Sequence, residues 1–123
     1  MKLLLDTHVL LWWLDDNKAL AQGTKERIAD GANQVLVSAA SIWEIIIKRS
    51  LNKLVIPSDF VKQLEPFQSL DVTQEHAFAV GDLPAHHKDP FDRLLIAQCI
   101  TEGLVLVTSD ANIKRYDLPI LDT

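Results

Sequence analysis

Three short aliphatic runs bounded by polar residues constrain this fold more than any other feature: Lys2 to Leu5, Gln34 to Val37 and Leu104 to Val107. They are continuous rather than alternating, which predicts strands buried on both faces, as in a parallel sheet covered by helices. Ser69 to Val72 and Leu118 to Leu121 are weaker strand candidates.

The intervening segments carry helical period. Thr24 to Ala29 reads as a capped helix ending near Gly31, and Ser58-Asp59-Phe60-Val61 opens another with Leu64 on the side of Phe60. Ala40 to Leu51 sets Ile42, Trp43, Ile45, Ile46 and Ile47 around most of a helix, leaving Ser41, Glu44 and Lys48 as a narrow polar stripe at spacings of three and four. Thr73 to Val80 is a short helix and Pro84 to Lys88 a loop. Asp89 reads as an N-cap with Pro90 at the first helical position, and the apolar helix that follows through Leu94, Leu95, Ile96, Cys99 and Ile100 stops at Gly103. Strand and helix in alternation predict an α/β fold, with one domain over residues 1–123 and helices on a central, mainly parallel sheet.

That fold places acids together. Asp6 follows the first strand, and Asp110 follows Val105-Leu106-Val107-Thr108-Ser109, so both belong at carboxyl ends of strands. Glu44 lies in the early turns of a helix leaving a second carboxyl end, and Asp92 in the first turn of a helix running back toward an amino end. All four can meet at the edge where open α/β sheets bind ligands.

Carboxylates so gathered repel, and a hard cation relieves the repulsion. Oxygen-only ligation without histidine or thiolate favours Mg²⁺ or Mn²⁺ over zinc. Such an ion lowers the pKa of a bound water and neutralises charge on a phosphate. Each acid also has a structural role available: Asp6 and Asp110 as N-caps, Glu44 paired with Lys48, and Asp92 facing a helix dipole. Capping alone gives no reason for four acids to share one edge.

Composition narrows the function further. Seventeen acids against twelve bases give a net charge of −5, which argues against broad metal-free coating of nucleic acid. Setting aside four metal-bound acids leaves thirteen against twelve, so a metal-dependent nuclease remains compatible. Neither a signal peptide nor a membrane span fits the amino-terminal residues, since Asp6 and then Asp15-Asp16 interrupt the apolar runs. Cys99 is the lone cysteine, reads as a small helix residue, and permits no intrachain disulfide. A reducing cytoplasm is the expected compartment.

Leu4-Leu5-Asp6-Thr7-His8, Ser41-Ile42-Trp43-Glu44-Ile45, Asp89-Pro90-Phe91-Asp92-Arg93-Leu94-Leu95-Ile96-Ala97 and Leu106-Val107-Thr108-Ser109-Asp110 occur in an order that resembles the PIN domain, specifically the VapC-like toxins of type II toxin–antitoxin pairs. The resemblance spans essentially the whole chain. It implies an α/β/α sandwich and an endoribonuclease using Mg²⁺ or Mn²⁺, with Asp6, Glu44, Asp92 and Asp110 as the acidic positions and Thr108 as a supporting hydroxyl. It further implies cleavage leaving a 5′-phosphate, a homodimer, and a cognate antitoxin protein that occludes the site.

Among the bases, Lys48 and Arg93 each neighbour an acid of the quartet and are candidates for holding RNA phosphate. Trp12, Trp13 and Trp43 lie in apolar helical stretches and are expected in the core or an interface, and His86-His87 in a solvated loop. Two other functions share the acid after the first strand. A metal-dependent phosphohydrolase or phosphoacceptor needs a second acid close to the first, and Asp6-Thr7-His8 supplies none. A non-catalytic interaction domain of the same fold has no need of four intact acids.

Overall fold

In a computed structural model describing residues 1–123, the aliphatic runs form the centre of a five-stranded sheet. The elements are β1 (Lys2–Leu5), α1 (Thr7–Leu14), α2 (Gln22–Ala29), β2 (Gln34–Ser38), α3 (Ala39–Ser50), α4 (Phe60–Gln63), β3 (Gln68–Leu70), α5 (Gln74–Val80), α6 (Pro90–Glu102), β4 (Val105–Thr108), a 3₁₀ turn (Ile113–Arg115) and β5 (Ile120–Asp122). Every strand pairing is parallel, in the order β3-β2-β1-β4-β5. The sheet is therefore wholly rather than mainly parallel.

Burial on both faces follows from the continuous apolar strands. Leu3, Leu5, Val35, Val37 and Val107 pack with Val9, Leu10, Ile28 and Phe60 in one core. Leu4, Leu36 and Leu106 point the other way, into a core with Leu95, Ile96, Cys99, Ile113 and Tyr116. This is an α/β/α sandwich in which successive strand residues serve opposite layers.

Helix ends explain most boundaries. Asp6 caps α1 by accepting from the Val9 N–H at 2.7 Å, and Ser38 caps α3. Asp89 caps α6, accepting from the N–H groups of Phe91 and Asp92, while Gly103 closes that helix at φ +68°. Two expectations shift. The second helix begins at Gln22 without a side-chain cap, and Thr24 is buried inside it. The segment opened by Ser58 makes only the four residues of α4, which suffice to bury Phe60.

The polar stripe of α3 is the larger surprise. Ser41 and Glu44 are buried with Ala40 and Ile45, whereas Ile42, Ile46 and Ile47 are half-buried and Trp43 is 61% exposed. Trp43 thus lies outside the core, its ring edge-on to Phe91 at 5.3 Å. Trp12 and Trp13 are half-buried against the first core. No helix is long and apolar enough to cross a membrane.

Candidate active site

The chain lays β2 and then β3 on one side of β1, and β4 and then β5 on the other. Connections leaving β1 and β4 therefore diverge, opening a crevice at their carboxyl ends. The β1–β4 register pairs Leu5 with Val107, and the ladder continues with the Asp6 N–H donating to the Val107 carbonyl at 3.1 Å. Asp6 consequently stands beside Thr108 at the crevice. Asp110 begins the next turn, its carboxylate accepting from the Asn112 N–H at 2.7 Å while its own N–H donates to the Thr108 hydroxyl at 3.0 Å.

Charge couples three of the acids. Burial raises the Asp6 carboxyl above its ordinary range, with a smaller push from Asp110, against hydrogen bonds from Thr108 and the Val9 N–H and the field of His8. Asp92, the third residue of α6, is raised to about 6, first by burial and then by Asp89, with Asp110 and Asp6 adding to the shift. A hydrogen bond from His87 acts in the opposite direction. Two carboxyls raised by burial and by neighbouring negative charge, beside a third acid, mark a site that accepts positive charge.

Glu44 is bound into the same edge by different contacts. The Thr7 hydroxyl donates to Glu44 Oε1 at 2.7 Å and lies 3.1 Å from the Ser41 hydroxyl, and Lys48 Nζ sits 3.1 Å from Glu44 Oε2. Thr7 follows Asp6 in sequence, so it ties α3 to the end of β1. The structural roles available to the acids are thus all occupied: Asp6 caps α1, Asp110 holds a turn, Glu44 pairs with Lys48, and Asp92 stands in the first turn of α6.

The donor set suits Mg²⁺ or Mn²⁺ because it consists of carboxylate oxygens whose repulsion a cation relieves. No three His, Cys, Asp or Glu residues form a ready-made cage. A Mg²⁺ ion that keeps most of its waters needs only one or two carboxylates, so the residues fit this kind of site.

The two expected basic residues differ. Lys48 stays beside Glu44, half-buried. Arg93 donates instead to the carbonyls of Pro84 at 2.8 Å, Val80 at 3.3 Å and Leu83 at 3.5 Å, and to the Tyr116 hydroxyl at 2.9 Å. Its guanidinium fastens the loop before α6 and is not free to hold phosphate. Nor is that loop simply solvated, because His87 is half-buried with Nε2 3.2 Å from Asp92 Oδ2. From sequence, Thr7 and Tyr116 have no assigned part in the site, His87 is expected in a solvated loop, and Ser41 is named only on the α3 stripe, the one signal among the four.

A sequence model of the PIN domain matches residues 3–118, and the chain belongs to the PIN domain family. It is 31% identical over 121 residues to a Mycobacterium tuberculosis protein named Ribonuclease VapC22, covering 94% of this chain and 92% of that one. Its fold is similar to that in the solved structure of VapBC2 from Rickettsia felis bound to a DNA fragment from their promoter, with a TM-score of 0.77, 17% identity, and coverage of 100% and 99% of the two chains. A toxin-antitoxin complex from Klebsiella pneumoniae matches at a TM-score of 0.69 with 16% identity, over 96% of this chain and 94% of the other.

Proposed function

We propose that this protein is an endoribonuclease that hydrolyses RNA phosphodiesters with Mg²⁺ or Mn²⁺, and that it is the toxin of a toxin–antitoxin pair acting in the cytoplasm. The observation that carries the reading is the partly buried, mutually repelling set of carboxyls where β1 and β4 diverge. Membership of the PIN family and the 31% identity to a protein named a ribonuclease support RNA as the substrate.

In this reading Asp6, Asp92 and Asp110 would hold the ion, with Glu44 as a fourth oxygen donor on the α3 side. When bound, the ion supplies Lewis-acid activation of the attacking water and neutralises charge developing on the phosphate. Thr108 keeps Asp6 oriented and fixes the turn that carries Asp110. Lys48, 3.1 Å from Glu44 Oε2, would present its ammonium to a substrate phosphate at this edge.

The partner reading rests on a groove of about 510 Å³ lined by Leu11, Trp12, Leu14, Leu54, Ile56 and Phe60 among others. Its apolar lining suits a helix of an antitoxin protein. A homodimer is proposed from the apolar side chains that α1 leaves half-buried.

Incubating the purified protein with structured and unstructured RNA tests the activity, with Mn²⁺ or with EDTA and with Asp6→Asn alongside. Cleavage that needs Mn²⁺ and is lost in the variant is expected. Cleavage indifferent to EDTA would overturn the metal dependence, and cleavage retained by Asp6→Asn would overturn the assignment of Asp6.

A further inference from the structure

The loop before α6 and the turn after β4 bring together four side chains that no sequence period links. Arg93 Nη1 is 2.9 Å from the Tyr116 hydroxyl, that hydroxyl is 2.9 Å from His87 Nδ1, and His87 Nε2 is 3.2 Å from Asp92 Oδ2. Tyr116 is 4% exposed, and its ring meets His87 edge-on at 5.4 Å. Arg115 donates to the His86 carbonyl at 2.8 Å, fastening the same loop from the other side.

The donor inventory gives this chain one direction. Arginine only donates, so the Tyr116 oxygen accepts from it, and it also receives the His87 backbone N–H at 3.4 Å. Its own proton is left for its one remaining contact, His87 Nδ1. A neutral imidazole that accepts at Nδ1 carries its proton at Nε2, which then donates to Asp92 Oδ2. Because Asp92 and Arg93 are neighbours in α6, the chain closes into a ring anchored on one helix turn.

We infer that His87, held by Tyr116 and Arg93, is a positioning residue that fixes the Asp92 carboxylate with one oxygen tethered and the other turned to the crevice. The inference rests on the proposed role of Asp92 as a metal ligand. Hydrogen-bonding partners of metal ligands set the ligand's orientation, and losing one weakens metal binding by about ten- to a hundredfold. Arg93 thus contributes through Tyr116 and His87 rather than through substrate phosphate.

Three measurements on the full chain test this. Nitrogen-15 spectra of His87 in the metal-free protein should show the Nε2–H tautomer, and an Nδ1–H tautomer would overturn the chain as drawn. Mn²⁺ affinity, read from free Mn²⁺ by electron paramagnetic resonance, should fall by about tenfold or more in His87→Ala. His87→Gln, whose amide can still donate to Asp92, should recover most of the loss, which a merely structural defect would not permit. Tyr116→Phe should fall between wild type and His87→Ala, and it serves as the test if His87→Ala does not fold. An unchanged Mn²⁺ affinity in His87→Ala, alongside a weakened Asp92→Asn, would overturn the inference and leave the metal site standing. Unchanged affinity in Asp92→Asn as well would overturn both.

Discussion

Asp92 carries the most direct link between a single side chain and a measurable property. Its carboxyl is raised from 3.8 to about 6. The folded protein therefore holds that proton more tightly than the unfolded chain, and the stability Asp92 contributes declines as pH climbs from about 4 to about 6 and stays low above. In the metal-free protein, calorimetry should show wild type losing more melting temperature across this window than Asp92→Asn. Asp6 moves in the same direction and remains in the variant, so the difference between the two proteins is the informative quantity. At pH 7, Mn²⁺ should raise the wild-type melting temperature by mass action and raise that of Asp92→Asn much less. Cleavage should weaken below about pH 6, where protons compete with the cation for Asp92.

The elements supply the rigidity that such a site needs. Helix α6 presents Asp92 in its first turn, and its two ends are set by Asp89 and by Gly103 in the left-handed region at φ +68°. Gly103→Ala should cost about 1–2 kcal/mol in urea unfolding, because a Cβ is strained at that φ. On the far side of α6, His76 is 1% exposed, with Nδ1 accepting from the Thr73 N–H at 3.1 Å and Nε2 2.8 Å from Glu102 Oε1. His76→Ala leaves the Thr73 N–H and Glu102 without this partner and opens a cavity between α5 and α6. A loss of about 2–4 kcal/mol is expected by the same measurement.

Elements of this kind were legible because local chemistry specifies them: Asp89-Pro90 and Gly103 bracket α6, and unbroken aliphatic runs mark β1, β2 and β4. The acids at the strand ends were legible for the same reason, since strand and helix alternation determines which edge they reach. The contacts from Thr7 to Glu44 and from Tyr116 to His87 join residues 37 and 29 positions apart, and no spacing rule records them. Helix α3 misled in a different way. Its isoleucines suggest burial all round, yet Ser41 and Glu44 turn inward beside Ala40 and Ile45 while Ile42, Ile46 and Ile47 are half-buried, and Thr7 and Lys48 satisfy Glu44 there.

At the scale of the whole molecule, two layers of helices on a parallel sheet leave a crevice where β1 and β4 diverge, the proposed site of chemistry, and an apolar groove proposed to seat a partner. The groove lies along the end of α1 away from Asp6, so a protein seated in it must extend along the surface to reach the acids. Light scattering at micromolar concentration should report a dimer, and a monomer alone would remove that proposal. Expression in a bacterial host without a partner should arrest growth for wild type and not for Glu44→Gln at matched protein levels. The measurement closest to the central claim is the rate at which purified protein cleaves RNA at pH 7 and saturating Mn²⁺, compared between wild type and Asp92→Asn. The account predicts a fall of about a hundredfold or more with the fold intact, and equal rates would contradict it.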